Sequence, residues 1–90
     1  MSNQTKEIVF KEGHAIFVSS RKEQKALISF LEDCGFKLLY EELRKSKHLY
    51  PCWCVQGNSF ALIGTQALKG IKKEKIFQNL GDFRKYFELF

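Results

Sequence analysis

Apolar residues recur at intervals of three and four between positions 27 and 34, which indicates one face of a helix. Ser20 with Glu23 three residues later forms a capping box at the start of this helix. At its end, Gly35 suits the left-handed position after the last turn, and Phe36 can pack back against that turn. The predicted apolar stripe consists of Leu27, Phe30, Leu31 and Cys34.

A second helix is predicted at the end of the chain by the same kind of pattern. Asn79 with Asp82 three residues on is typical of a helix N-terminus. One face of the following segment is strongly apolar, as expected for a helix that packs on a core. That face consists of Leu80, Phe83, Phe87 and Phe90.

The first residues of the chain favour strands. Ile8–Phe10 and Ala15–Ser19 are rich in β-forming residues, and Lys11–His14 between them resembles a tight hairpin turn. Both faces of the second segment are apolar, since Ala15 and Phe17 alternate with two other hydrophobic residues. We therefore expect a central strand there.

The middle of the chain predicts a further hairpin. Phe36–Tyr40 is a possible strand, and the charged stretch Glu41–His48 is a loop or a short helical turn. Leu49–Gln56 and Phe60–Gly64 then flank Gly57-Asn58-Ser59, whose residue types suit the positive φ angles of a turn.

The segment Thr65–Glu74, which follows this hairpin, is a basic connection. Lys75–Phe77 after it is a candidate short edge strand. These elements predict an α+β fold, with a small antiparallel β-sheet of two hairpins plus a short strand and two helices packed on one face. Residues 1–90 are predicted to form a single domain, with residues 1–6 as a flexible tail.

Composition supports a folded domain. The 90 residues are 44% hydrophobic and include nine Phe, so aromatic packing is expected to supply much of the core. Fifteen Lys and Arg against ten Asp and Glu give a net charge of +5, which favours an acidic partner.

The sequence also bears on location. Met1–Glu7 is polar and no apolar segment follows, so we expect no signal peptide. No apolar run approaches the ~20 residues that span a bilayer. Three cysteines, two of them separated by one residue, do not suggest a disulfide framework. A reducing cytoplasm is therefore predicted.

Cysteine and histidine are the candidate metal ligands. Cys52 and Cys54 share one face of a predicted strand, His48 lies four residues upstream, and Cys34 ends the first helix. A C-x-C in a strand splays its thiols, unlike the usual C-x₂₋₄-C zinc pair. Cys34 is predicted at a helix C-terminus, where the helix dipole raises the pKa of a thiol and so disfavours the nucleophilic thiolate. His14 is predicted in a turn, and nothing in the sequence places it beside a thiol. We predict no catalytic residue, metal or cofactor.

Basic residues fall into three groups, which can contact phosphate or simply be solvated. No nucleic-acid-binding motif accompanies them. The first two groups are Arg21, Lys22 and Lys25 at the start of the first helix and Arg44, Lys45 and Lys47 in the middle of the chain. The third group comprises Lys69, Lys72, Lys73 and Lys75 in the final connection.

Trp53 is open to two interpretations. If Trp53 and Val55 point away from the helices, Trp53 is an exposed anchor for a partner, with Tyr50 beside it. If Trp53 is instead part of the core, Cys52 and Cys54 lie on the other face. Tyr40 and Tyr86 are further candidate exposed aromatics.

Three features follow one another along the chain: a Ser-capped helix that ends in Leu31-Glu32-Asp33-Cys34-Gly35-Phe36, the pair Tyr50-Pro51 before a hairpin, and a short strand and helix over residues 76–83. This order of elements resembles that of small accessory proteins of tailed phages and prophages. The resemblance implies a viral protein in the bacterial cytoplasm that binds a host or defence component stoichiometrically.

The leading hypothesis is a non-enzymatic phage-type inhibitor that binds a host or defence protein, or a nucleoprotein complex, with an acidic surface. Its predicted partner-binding residues are Trp53, Tyr50, Arg44, Lys45 and Lys47. The alternative is direct nucleic-acid binding through Lys69, Lys72, Lys73 and Lys75. No membrane partner is expected, and the protein is predicted to be a monomer or a homodimer.

Overall fold

The computed structural model describes residues 9–89. Expectations for the tail, for Ile8 and for Phe90 lie outside this range. The described strands are β1 (His14–Phe17), β2 (Lys37–Leu38), β3 (Cys52–Gln56), β4 (Ser59–Leu62) and β5 (Ile76–Phe77). The described helices are α1 (Arg21–Asp33), α2 (Glu42–Lys45), α3 (Thr65–Leu68) and α4 (Leu80–Phe87), and a 3-10 turn spans Lys73–Lys75.

Helix α1 has the predicted ends. The Ser20 hydroxyl accepts a hydrogen bond from the Glu23 N–H at 3.1 Å, and the Glu23 carboxylate accepts one from the Ser19 N–H at 3.2 Å. Gly35 has φ 91°, which a residue with a Cβ rarely adopts, so a glycine is needed there. The Phe36 N–H then bonds back to the Leu31 carbonyl at 2.9 Å.

Helix α4 also begins as predicted. The Asn79 side-chain oxygen accepts a hydrogen bond from the Asp82 N–H at 2.8 Å. Leu80, Phe83 and Phe87 are buried on the face towards the core. Phe83 and Phe87 contact Phe30 of α1, so α1 and α4 share one side of the sheet, as expected.

The sheet is mixed, whereas the sequence predicted an antiparallel one. The strand order is β2-β4-β3-β1-β5. The β3–β4 hairpin is confirmed, with Gly57 at φ 63° in its turn, and β5 is an edge strand as predicted. However, β1 pairs with β5 and β2 pairs with β4 in parallel.

The predicted first hairpin is wrong. Phe10 lies outside the strands and is fully buried in the core. Its carbonyl accepts a hydrogen bond from the Gly57 N–H at 2.6 Å, which ties the start of the described chain to the β3–β4 turn. The apolar character of Phe10 therefore reflects burial without strand pairing.

Two connections along the chain join strands that run parallel, so both are crossover connections. Helix α1 links β1 to β2 on one face, and residues 63–75 link β4 to β5 in the opposite lateral direction. Because parallel crossovers are right-handed, the second connection is expected on the face opposite α1. Ala15 points to that face and is nonetheless completely buried, which agrees with a cover there.

The main core lies between the sheet and the helices α1 and α4. Ile16 on β1 pairs with Trp53 on β3, which in turn pairs with Leu62 on β4, so the three side chains share the helix-covered face. The buried residues of this cluster are Phe10, Ile16, Val18, Leu27, Ile28, Leu31, Phe36, Leu38, Leu43, Trp53, Val55, Phe60, Leu80, Phe83 and Phe87.

Candidate functional site

Trp53 is not a surface residue. Its side chain is 0% exposed, and its indole N–H donates to the Tyr50 carbonyl at 2.7 Å. The interpretation of Trp53 as an exposed partner anchor is therefore wrong. The physical reason is its register with Ile16, which directs the largest apolar side chain of the chain towards α1.

Tyr50 is half-buried and fixed by hydrogen bonds. Its hydroxyl lies 3.0 Å from the Ser46 hydroxyl, and its N–H donates to the Gln24 side-chain oxygen at 2.6 Å. The Gln24 side-chain nitrogen donates to the His48 carbonyl at 3.1 Å. We call this arrangement the Gln24 clamp. Sequence analysis missed Gln24, and its position within the buried stripe of α1 was the available signal.

Arg44 is engaged within the molecule. Its guanidinium forms a two-bond ion pair with the Glu32 carboxylate and a second pair with Glu41 at 3.1 Å. These hydrogen bonds raise the pKa of Arg44 and lower the pKa of Glu32. Arg44 therefore joins α2 to α1, while the neighbouring Lys45 and Lys47 are exposed.

The lysines of the final connection do not all have the same surroundings. Lys75 forms an ion pair with Glu12, whose pKa it lowers. Lys69, Lys72 and Lys73 are exposed. Lys72 and Lys75 line a recess of about 330 Å³ together with Glu12, Gly13, Gly70 and Ile71.

His14 is a buried residue that sequence analysis placed in a turn. It is 1% exposed, and its ring packs against Phe10, Phe77 and Tyr86. The Nε2 atom of the ring lies 3.4 Å from the Tyr86 hydroxyl. Burial lowers the pKa of His14, and Lys75 lowers it further.

The cysteines of β3 lie on the face away from α1. Cys52 pairs with Phe17 and Cys54 with Ala15, and burial raises the pKa of both thiols. Within residues 9–89, no group of three or more His, Cys, Asp or Glu side chains is arranged to hold a metal ion. In the same range, no helix has the length and apolar character to cross a bilayer.

A groove of about 430 Å³ lies on this second face, beside the edge strand β2. Leu39 and Tyr40 follow β2 and are 56% and 53% exposed. Ala61 and Cys54 are directly paired across β4 and β3 and form its floor. We call it the β2 groove, and its lining is Leu39, Tyr40, Cys54, Gln56, Ser59, Phe60, Ala61, Leu62 and Ile63.

The β2 groove was only partly foreseen from the sequence. Tyr40 was a candidate exposed aromatic, and the cysteine face was the alternative to the Trp53 face. Leu39 was missed, because a leucine beside a predicted strand is as consistent with burial as with exposure. The decisive feature is tertiary, since β2 contains only two residues and leaves Leu39 beyond its end.

Comparison of the chain with protein-family models, with curated proteins and with solved structures gave no match.

Proposed function

We propose that this chain is a non-enzymatic binding protein of the phage accessory type, which binds and inhibits or redirects a bacterial host or defence component. The observation that carries the binding role is the β2 groove. Single exposed apolar residues are common on protein surfaces, but adjacent ones around a depression are typical of interaction sites. The inhibitory role rests on the sequence resemblance.

The energetics of the β2 groove favour a macromolecular partner. Leu39 and Tyr40 are both more than half exposed, and each contributes to affinity when a partner removes it from water. Tyr is also enriched among the few residues that dominate interface energies. An interface of standard size covers about 800 Å² on each partner, so the groove would form its centre and surrounding residues its rim.

The revised set of partner-binding residues differs from the one that the sequence indicated. Leu39 and Tyr40 replace Trp53 and Tyr50 as the proposed anchors. Lys45 and Lys47 remain candidates for steering an acidic partner, because both are exposed. Arg44 is better explained as a structural residue, given its ion pairs with two carboxylates.

The test is retention of a partner from bacterial lysate by the immobilised protein, with bound proteins identified by mass spectrometry. A double variant, Leu39→Ser with Tyr40→Ser, should lose the specific partner. The matched control is Leu89→Ser, since Leu89 is 75% exposed but does not line the groove. Equal retention by the groove variant and the wild type would refute the proposed site.

A further inference from the structure

The two ends of the β2 groove differ in chemistry. Leu39, Tyr40 and Ile63 lie towards one end, where a large apolar side chain would be removed from water. The floor beneath them consists of small side chains, because Ala61 and Cys54 are paired in adjacent strands. A depression with large walls and a small floor accepts a side chain from outside the molecule.

The other end of the groove is polar, and Lys37 of the edge strand β2 lies beside it. Gln56 and Ser59 are paired there, and Ser59 is also paired with Lys37 at the edge of the sheet. The Gln56 side-chain nitrogen donates to the backbone carbonyl of Lys11 at 3.5 Å. Lys37 is exposed, and it forms no ion pair within the described residues.

Glu12, the acidic residue next to Lys11, forms its ion pair with Lys75. The polar end of the groove therefore has the exposed, unpaired ammonium group of Lys37 beside the uncharged side chains of Ser59 and Gln56. Such an arrangement attracts a carboxylate and repels a cationic segment.

Strand geometry sets the distance between the two ends. Ser59 and Ala61 are two residues apart on β4, and Ser59 and Ile63 are four apart, which corresponds to about 7 and 13 Å. An extended peptide has the same rise per residue. A carboxylate two to four residues from an apolar anchor would then reach Lys37 while the anchor occupies the apolar end.

We infer that the partner presents to the β2 groove an extended acidic segment, in which Asp or Glu lies two to four residues from a large apolar side chain. This inference rests on the proposed binding function of the groove. It assigns Lys37 as the residue that selects for acid and Leu39 as the residue that holds the apolar anchor.

The experiment selects a yeast-displayed library of random peptides on the wild-type protein and measures binding of the enriched peptides by fluorescence anisotropy. We expect the enriched sequences to share the predicted spacing of acidic and apolar residues. Leu39→Ser should abolish their binding. Lys37→Glu should weaken it about threefold to tenfold, because an attraction becomes a repulsion.

Two controls make the result specific. Lys85→Glu changes an exposed charge on α4 that does not line the groove, and it should leave peptide binding unchanged. A peptide with its acidic residue changed to Lys should bind Lys37→Glu better than it binds the wild type. This reversal would confirm a direct charge interaction.

Three other outcomes would each contradict a specific claim about the groove. Peptides that require Leu39 but are neutral or basic, and are insensitive to Lys37→Glu, would refute the acidic segment and leave the binding function intact. Failure to obtain any peptide that depends on Leu39 would refute the groove itself. A concentration-dependent dimer that Leu39→Ser abolishes would assign the groove to a second copy of the chain.

Discussion

Trp53 has the largest fully buried side chain of the described residues. Its ring centroid lies 6.3 Å from that of Phe60 and 6.4 Å from that of Tyr50. Trp53→Ala should therefore lower the free energy of unfolding by about 3–5 kcal/mol, because it removes this packing and leaves a cavity. Urea denaturation followed by far-UV circular dichroism measures the change.

The matched control is Tyr40→Ala, which removes a large aromatic side chain from the surface. Its effect on the free energy of unfolding should stay within about 0.5 kcal/mol, as for other exposed sites. Because a small domain has little stability to lose, Trp53→Phe provides a milder second variant. A Trp53→Ala protein with unchanged stability would contradict the burial of the indole.

His14 links stability to pH. Its pKa in the folded protein is lowered by burial, so the unfolded chain binds a proton more readily, with a pKa of about 6.5. Stability from neutral His14 is thus complete above this pH and declines as the pH falls towards the lower, folded-state pKa. The prediction is a loss of unfolding free energy between pH 7.5 and 5.5.

The variant His14→Leu should remove most of this pH dependence, whereas His48→Gln should retain it, because His48 is exposed. Glu12 and Glu32 do not interfere. Their pKa values are lowered from 4.5, so both carboxylates stay ionised throughout the window. An unchanged pH dependence in His14→Leu would show that another group is responsible.

At the level of elements, the Gln24 clamp attaches the segment before β3 to helix α1. Gln24 is buried, and its amide bonds both the Tyr50 N–H and the His48 carbonyl. Gln24→Ala should cost about 1–3 kcal/mol, since it removes two part-buried hydrogen bonds of a buried side chain. Hydrogen exchange at the Tyr50 amide should accelerate more than exchange in the β3–β4 hairpin.

Ser29→Ala is the matched control for that experiment, because Ser29 lies on the exposed side of the same helix. It should change neither stability nor exchange at Tyr50. If Gln24→Ala accelerates exchange equally throughout the molecule, the clamp stabilises the fold as a whole and does not act on one segment.

At the scale of the whole molecule, the net charge of +5 keeps nucleic acid as the alternative partner. Lys69, Lys72 and Lys73 are the exposed members of the final basic group, while Lys75 is paired with Glu12. If they contact phosphate, binding to duplex DNA should weaken steeply with salt, and replacing all three with Gln should flatten that slope.

The comparison uses fluorescence anisotropy of a labelled duplex between about 50 and 200 mM salt. Replacing Arg21, Lys22 and Lys25 with Gln removes the same number of charges from α1 and provides the control. Equal effects of the two triple variants would indicate attraction by net charge, without a defined site. No binding at the lowest salt would exclude the alternative.

The sequence by itself determined the elements that depend on neighbouring residues. Both ends of α1 and the start of α4 were predicted correctly, because Ser20, Gly35 and Asn79 act through hydrogen bonds and dihedral angles within one turn. The β3–β4 hairpin was predicted for the same reason, since Gly57 sits in the turn that joins its two strands.

Tertiary structure alone decided the pairings between distant segments. Local residue types do not specify whether β5 lies parallel to β1, nor that Phe10 enters the core outside any strand. The same holds for the sheet face on which Trp53 lies. A strand with two apolar faces fits the helices either way, and only its register with β1 places the indole in the core and the cysteines opposite.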